Sequence, residues 1–119
     1  MDKKTVLIVD DSSLARMMVR KIFATKFTEW NLIEAKDGEE ALNLSDTPLH
    51  LALLDFNMPG MNGIELAEKL MVKHPRMAVY LVTANIQDRM HQRAESMGIG
   101  FIKKPIADGK IADILQQIA

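Results

Sequence analysis

The chain has 119 residues, 48% hydrophobic and 26% charged, which fits one globular domain and excludes a disordered chain. Its 15 basic and 16 acidic residues leave no overall field that favours nucleic acid or anionic lipid. It has no cysteine, which excludes disulfides and thiolate metal sites, and no segment approaches the ~20 apolar residues of a membrane span. We therefore expect a cytoplasmic monomer of one domain, residues 1–119, with neither nucleic acid nor membrane as a partner.

The first predicted strand, residues 5–9, is a largely β-branched apolar run that ends at Asp10 and Asp11. A run without polar alternation is typical of a central parallel strand that is covered on both faces. Ser12 or Ser13 can cap the following helix, which should end near residue 27. Helical spacing predicts that its inward face carries Ala15, Met18, Val19, Ile22 and Phe23.

Four further strands are predicted, each followed by a helix. The strand signals lie at residues 32–35, 49–54, 79–82 and 101–102. The second helix should contain Ala41, Leu42 and Leu44, and the third should run from residue 64 to about 73. The inward positions of the last two helices are Ile86, Met90, Ala94 and Met97, with Gly98 as a stop, and then Ile111, Ile114, Leu115 and Ile118.

Five strand signals alternating with five helix signals predict an α/β fold with one open parallel sheet and helices on both faces, because parallel strands need crossover connections. Right-handed crossovers bring the carboxyl ends of all strands to one edge of the sheet, where ligands of such sheets bind. That edge should collect five polar residues: Asp10, Asp11, Asp55, Thr83 and Lys104.

These five residues suggest phosphoryl transfer. Three carboxylates in one crevice repel one another, and an all-oxygen ligand set suits a hard cation such as Mg2+. Lys104 and Thr83 add a positive charge and a hydroxyl suited to a tetrahedral oxyanion. Asp55 stands alone at its strand end and is the candidate nucleophile, whereas Asp10 and Asp11 are better placed to hold the ion.

The same residues resemble the receiver domains of two-component response regulators, in particular the single-domain chemotaxis type. The resemblance covers the whole chain and is carried by Asp10-Asp11, Asp55, the loop at residues 57–63, Thr83-Ala84 and Lys104-Pro105. It implies a flavodoxin-like, doubly wound sheet of five strands in the order 2-1-3-4-5. It also implies a signalling switch rather than a conventional enzyme.

For the acceptor, the resemblance implies that Asp55 is phosphorylated from the phosphohistidine of a histidine kinase. Mg2+ would be bound directly by Asp11, Asp55 and the main-chain carbonyl of Asn57, and Asp10 would hold a metal-bound water. Asn57 also flanks the site with Met58 and Asn85, and these three side chains would influence access of the hydrolysing water.

For the switch, the resemblance implies that Thr83, Ala84 and Lys104 contact the phosphoryl oxygens and that Thr83 moves towards them on activation. Phe101 matches the aromatic position whose rotamer follows that movement, although it lacks the hydroxyl of the tyrosine often found there. Asn62 stands where many members carry aspartate. The fourth helix, the fifth strand and the last helix would form the output surface, with a flagellar motor switch protein as the first candidate partner.

Ordinary structural explanations exist for the same residues. Asp10 and Asp11 could cap the first helix, Thr83 could be a sheet residue with a satisfied hydroxyl, and Phe101 could be a core residue. His50, His74 and His91 are scattered and are predicted to be surface or structural residues. The methionines at helical spacing, including Met18, Met71 and Met97, are predicted to pack in the core.

Lys103 competes with Lys104 for the functional position. Lys104 is preferred because it directly precedes Pro105, as in the family pattern, and because alternation sends Lys103 to the opposite side of the strand.

Other functions stay open. A haloacid-dehalogenase-type phosphotransferase would need a second catalytic aspartate where Asn57 stands, and an FMN binder would place a phosphate against Asp10 and Asp11. A constitutive interaction module would keep the fold without the switch. The outward residues Asp88, His91 and Glu95 of the fourth helix are more polar than a motor-binding face should be, which raises a phosphate sink or a receiver excised from a longer regulator as alternatives.

Overall fold

The computed structural model describes residues 3–84 and 88–118, which form five strands and five helices in alternation. The strands are β1 (Lys4–Val9), β2 (Trp30–Ala35), β3 (Leu51–Asp55), β4 (Ala78–Thr83) and β5 (Gly100–Lys103). The helices are α1 (Ser13–Lys26), α2 (Gly38–Asn43), α3 (Gly63–Lys73), α4 (Asp88–Ser96) and α5 (Asp108–Ile118). Within these described ranges, no helix is both long enough and apolar enough to span a bilayer.

The five strands form one parallel sheet in the order β2-β1-β3-β4-β5, which confirms the predicted doubly wound, flavodoxin-like fold. β1 and β3 are neighbours, with Val9 opposite Leu54, so Asp10 and Asp55 leave adjacent strands at the same level. β4 lies on the other side of β3, with Val82 opposite Asp55. The order of the strands therefore brings the acidic residues together.

Apolar residues cover both faces of the sheet. Alternate residues of β1 and β3 belong to opposite faces, which explains why their apolar runs show no alternation. One face packs against α2, α3 and α4 through residues that include Leu7, Val9, Leu54, Ala41, Leu70 and Ala94. The other packs against α1 and α5 through residues that include Ile8, Leu53, Val82, Phe23, Ile111 and Leu115.

Several local predictions were wrong. Met18 was expected in the core but is 47% exposed, because α1 contacts the sheet along a narrow stripe centred on Val19 and Phe23. Leu44 was expected inside the second helix but forms its C-cap and is 40% exposed. β2 begins at Trp30, earlier than the predicted strand at residues 32–35, and the Trp30 ring packs against that of Phe23.

Two further element boundaries bear on the sequence predictions. β3 begins at Leu51, two residues later than the predicted strand. Gly98 has a φ of 75° just after α4, as a helix stop requires. Asn85, Ile86 and the side chain of Asp88 lie outside the described part of the chain.

Gly63 begins α3 directly behind the end of β3. The start of the helix is set by a capping box, in which Asn62 Oδ1 accepts from the Glu65 N–H and Glu65 Oε1 accepts from the Asn62 N–H. A Cβ atom at Gly63 would lie 2.8 Å from the carbonyl oxygen of Asp55 and 2.9 Å from Leu81 Cδ2. Only glycine lets α3 approach the end of β3 this closely.

Replacing Gly63 tests this close approach. Gly63→Ala should lower the free energy of unfolding by about 1–3 kcal/mol, because the new methyl group displaces the backbone at Asp55. Gly109→Ala is the matched control, since a Cβ atom at this helix position meets nothing within 4 Å. It should be neutral or stabilise the protein by up to about 1 kcal/mol. Urea unfolding measures both, and a Gly63→Ala protein as stable as the unmodified one would contradict the prediction.

Candidate functional site

The predicted site residues lie at one edge of the sheet. Asp10 directly follows β1, Asp55 ends β3, Thr83 ends β4 and Lys104 directly follows β5. Asp10, Asp55 and Thr83 are buried, with 6%, 3% and 1% of their surface exposed, while Asp11 is exposed. Buried carboxylates are rare unless a cation or hydrogen bonds compensate their charge. The two buried aspartates at this edge therefore need such partners.

The three carboxylates converge. One oxygen from each of Asp10, Asp11 and Asp55 can be chosen such that all three lie within 4.8 Å of one another. Lys104 Nζ lies 3.2 Å from Asp55 Oδ1 and 3.4 Å from Asp10 Oδ2. The lysine therefore bridges the two buried carboxylates, and the exposed Asp11 opens the cluster to solvent.

Main-chain donors orient the two buried carboxylates. The Ser12 N–H donates to Asp10 Oδ1 at 2.9 Å, and the Asn57 N–H donates to Asp55 Oδ1 at 3.3 Å. Both hydrogen bonds run from the second residue after the aspartate, as in an Asx turn. Short turns after β1 and β3 thus set the direction of each side chain.

Burial and like charge shift the titration of this cluster. Burial raises the pKa of Asp55, the nearby Asp10 carboxylate raises it further, and Lys104 and the Asn57 N–H only partly offset these effects. Burial alone would lower the pKa of Lys104, but the carboxylates of Asp10 and Asp55 outweigh it and raise that pKa. Lys104 therefore stays protonated beside Asp55, while burial still disfavours the charged form of that carboxyl group.

The remaining predicted residues surround the cluster. The Thr83 carbonyl accepts from the Lys104 N–H at 2.9 Å, and Ala84 is exposed just beyond β4. Lys103 is exposed, whereas Lys104 is half-buried and contacts both buried carboxylates. Phe101 is half-buried, and its ring lies 5.3 Å from that of His91 on α4.

Two other predictions concern methionine and histidine. Met58 is 9% exposed and packs into the core cluster on the α3 face, so it is a core residue as well as a neighbour of the site. His50 Nδ1 accepts from the Thr5 N–H at 3.0 Å, and His74 Nε2 lies 2.8 Å from the Ser45 carbonyl oxygen. These two histidines are structural, as predicted.

Sequence reasoning missed two residues that shape the site. Gly63 allows the helix to approach Asp55, and Arg16 Nη1 donates to the carbonyl oxygen of Asp10 at 2.6 Å. In the sequence, Gly63 lies among turn-forming residues, and nothing there indicates that it packs closely against the backbone of Asp55. A basic residue on a helix is common, and only the fold shows that the Arg16 side chain reaches the backbone just after β1.

A cavity of about 310 Å³ lies beside the cluster on the side of α1 and the segment after β5. Its charged end is formed by Asp10, Asp55 and Lys104. Its apolar wall includes Ile8, Met18, Leu53, Val82, Pro105 and Ile106. The buried carboxylate of Asp55 therefore borders open space large enough for a phosphoryl group.

Comparison with known proteins identifies the family. The sequence model described as the response regulator receiver domain matches residues 6–116, nearly the whole chain. This chain belongs to the response regulator receiver domain family.

Individual relatives include proteins of different length. The receiver domain is 31% identical over 118 residues to the chemotaxis protein CheY of Thermotoga maritima, covering 98% of each chain. It is 38% identical over 103 residues to a cyclic di-GMP phosphodiesterase of the same organism, covering 86% of this chain and 27% of that protein. The chain spans about a quarter to about half of the length of the first three curated relatives that it matches.

A solved structure shows the same fold. The chemotaxis protein CheY4 of Vibrio cholerae superposes on the receiver domain with a TM-score of 0.87 at 25% identity, covering 98% of this chain and 99% of the other. The described helices and strands are therefore those of a CheY-like receiver.

The raised pKa of Asp55 predicts how stability depends on pH. Because the folded protein holds this proton to a higher pH than the unfolded chain does, the contribution of Asp55 is favourable below about pH 4. It is lost as the pH rises through the pKa in the folded protein. Asp55 therefore destabilises the metal-free protein at neutral pH.

Asp55→Asn tests this sign. In metal-free buffer at about pH 7.5, the thermal midpoint of the variant should lie a few degrees above that of the unmodified protein. This difference in midpoint should shrink towards about pH 4. Thermal unfolding followed by circular dichroism measures both. Asp113→Asn, which removes the same charge from an exposed position on α5, controls for the change of charge. A variant less stable at neutral pH, or a gain that persists in acid, would contradict the assignment of the repulsion to Asp55.

Proposed function

We propose that this receiver domain accepts a phosphoryl group on Asp55 from the phosphohistidine of a histidine kinase, in a Mg2+-dependent reaction. The phosphorylated form would then switch a partner-binding surface. The observation that carries this proposal is a buried carboxylate that faces Lys104 at 3.2 Å, within a cluster of three carboxylates. This combination provides a nucleophile, a fixed positive charge and a set of oxygen ligands.

The donor set fits Mg2+. All three side chains offer carboxylate oxygens, which hard cations prefer. Burial and the Asp10 carboxylate raise the pKa of Asp55 despite the nearby Lys104, so a bound cation would favour its charged form. Asp11, Asp55 and the main-chain carbonyl of Asn57 would hold the ion directly, and Asp10 would hold it through water. When bound, the ion would neutralise charge on the transferred phosphoryl group.

The chain's own residues would divide the transfer between them. A carboxylate oxygen of Asp55 attacks the phosphorus, the phosphorus–nitrogen bond breaks, and the imidazole of the kinase leaves with that electron pair. Lys104 stabilises charge on one phosphoryl oxygen, because its Nζ already lies beside Asp55. The Thr83 hydroxyl and the Ala84 N–H would contact the other phosphoryl oxygens from the end of β4.

The switch would run from β4 to the output surface, which comprises α4, β5 and α5. Thr83 ends β4 beside β5, and Phe101 lies on β5 against His91 of α4. Movement of Thr83 towards the phosphoryl group would free space for Phe101 to turn inward. That rotation would change the contact with His91 and so the face presented to a partner.

The similarity to chemotaxis protein CheY over 98% of each chain supports a chemotaxis role, with a flagellar motor switch protein as partner. However, His91 Nε2 lies 3.1 Å from Glu95 Oε2 on the exposed side of α4, and this polar pair departs from an apolar docking face. A phosphate sink is then the alternative within the same chemistry. In either role the receiver would act in the cytoplasm as a monomer, and not as a turnover enzyme.

A receiver that belongs to a longer regulator is favoured by a separate observation. The chain covers only 27% of the cyclic di-GMP phosphodiesterase with which it shares 38% identity. In that case the output would be a neighbouring domain. A haloacid-dehalogenase-type enzyme is set aside, because the chain belongs to the receiver family and carries Asn57 where that enzyme needs aspartate.

Phosphorylation of Asp55 can be measured directly. Incubation with Mg2+ and acetyl phosphate should add one phosphoryl group, about 80 Da, to the intact mass because a carboxylate nucleophile forms an acyl phosphate. A chelator and Asp55→Asn should each abolish the adduct, whereas Asp46→Asn, an exposed aspartate, should leave it unchanged. An unmodified mass under conditions that label an established receiver would refute the proposal.

The two neighbouring lysines separate specific from general charge effects. Lys104→Gln should slow phosphorylation by acetyl phosphate by about tenfold or more, because the positive charge beside Asp55 is lost. Lys103→Gln removes the same charge from an exposed side chain and should stay within about twofold. Phosphorylation rates followed by mass spectrometry compare them, and equal rates in both variants would contradict the role of Lys104.

A further inference from the structure

We propose that Arg16 is a positioning residue for the acidic cluster, which it ties to Glu34 on β2. This inference rests on the proposed function, because the cluster is proposed to bind Mg2+. Arg16 does not touch a reacting atom; it would act through the backbone between Asp10 and Asp11.

Arg16 makes two contacts at once. Its Nη1 donates to the carbonyl oxygen of Asp10 at 2.6 Å, and its Nε lies 3.4 Å from Glu34 Oε1. Both side chains of the ion pair are largely buried, with 19% of Arg16 and 22% of Glu34 exposed. The planar guanidinium suits such a bridge, because its donors point in fixed and different directions.

The contact with Asp10 fixes a specific peptide group. The Asp10 carbonyl belongs to the planar unit that joins Asp10 to Asp11, so holding its oxygen sets the orientation from which both side chains leave the backbone. The same turn is held by the Asp10 N–H, which donates to the Ala35 carbonyl at 3.1 Å. Glu34 and Ala35 are neighbours, so one end of β2 supports the turn through two contacts.

Arg20 provides a matched control within the same network. Its Nη1 donates to Glu34 Oε2 at 2.7 Å, whereas the hydrogen bond to the Asp10 carbonyl comes from Arg16. The side chain of Arg20 is 54% exposed. Removing Arg20 therefore takes away one positive charge and one ion pair with Glu34, and leaves the hydrogen bond from Arg16 to Asp10 in place.

A competing effect has the opposite sign. The positive charge of Arg16 lies near the carboxylates and would repel a divalent cation, so its loss would tighten Mg2+ binding if charge dominated. If Arg16 instead acts by positioning the acidic cluster, its loss should weaken Mg2+ binding. Arg16→Lys separates the two effects further, because it keeps the charge while one ammonium group replaces the bridging fork.

The experiment compares Arg16→Gln, Arg16→Lys and Arg20→Gln in the full chain. Titration with MgCl2 followed by NMR amide shifts gives the dissociation constant, and amide hydrogen exchange of metal-free protein reports on the turn at Asp11 and Ser12. Both Arg16 variants should raise the dissociation constant about three- to tenfold and speed exchange at the turn. Arg20→Gln should stay within about twofold of the unmodified protein.

Phosphorylation kinetics distinguish weaker Mg2+ binding from a slower reaction, and a general loss of stability would not change the first alone. The Mg2+ concentration for half-maximal rate should rise in the Arg16 variants, while the rate at saturating Mg2+ stays within about twofold. Glu34→Gln should act in the same direction, and combining it with Arg16→Gln should add little.

The outcomes are distinct. Tighter Mg2+ binding in Arg16→Gln, unchanged binding in both Arg16 variants, or an equal effect in Arg20→Gln would overturn the positioning role and leave the proposed function intact. An unmodified protein that binds no Mg2+ would overturn both.

Discussion

The structure depends on the charge balance between Asp10, Asp55 and Lys104 at one edge of the sheet. Two carboxylates that are nearly fully buried face one lysine at 3.2–3.4 Å, and burial together with the repulsion from Asp10 still raises the pKa of Asp55. Such an arrangement costs folding free energy unless a cation or a ligand completes it. A cation bound at this edge, as we propose, would therefore stabilise the folded protein.

The fold creates this balance from distant parts of the sequence. Because the sheet is parallel, the carboxyl ends of all five strands lie at one edge, and the strand order places Asp10 and Asp55 side by side. Gly63 then lets α3 begin directly behind Asp55, and Arg16 holds the turn after β1 from α1. The two helices that follow β1 and β3 therefore contact the backbone at the ends of those strands.

Patterns of single residues predicted an open parallel sheet and the convergence of Asp10, Asp11, Asp55 and Lys104, because period and strand ends are local features. The strand order 2-1-3-4-5 came from the family resemblance. Contacts between helices and strands could not be predicted from these local patterns, because they depend on how the elements pack. The exposure of Met18 depends on how α1 lies on the sheet, and the need for glycine at residue 63 depends on the approach of α3 to β3. Arg16 and Glu34 are 18 positions apart and acquire their shared role only when β2 pairs with β1. The roles proposed for Thr83, Ala84 and Phe101 rest on the family resemblance and on their places around the cluster.

The most direct measurement is a crystal structure of the protein with Mg2+ and beryllofluoride, a tetrahedral mimic of a phosphoryl group. The account predicts beryllium bonded to a carboxylate oxygen of Asp55, Mg2+ held by Asp11, Asp55 and the Asn57 carbonyl, and Lys104 Nζ within hydrogen-bond distance of a fluoride. Density for the mimic on another residue, or an unmodified Asp55 under conditions that saturate an established receiver, would contradict it.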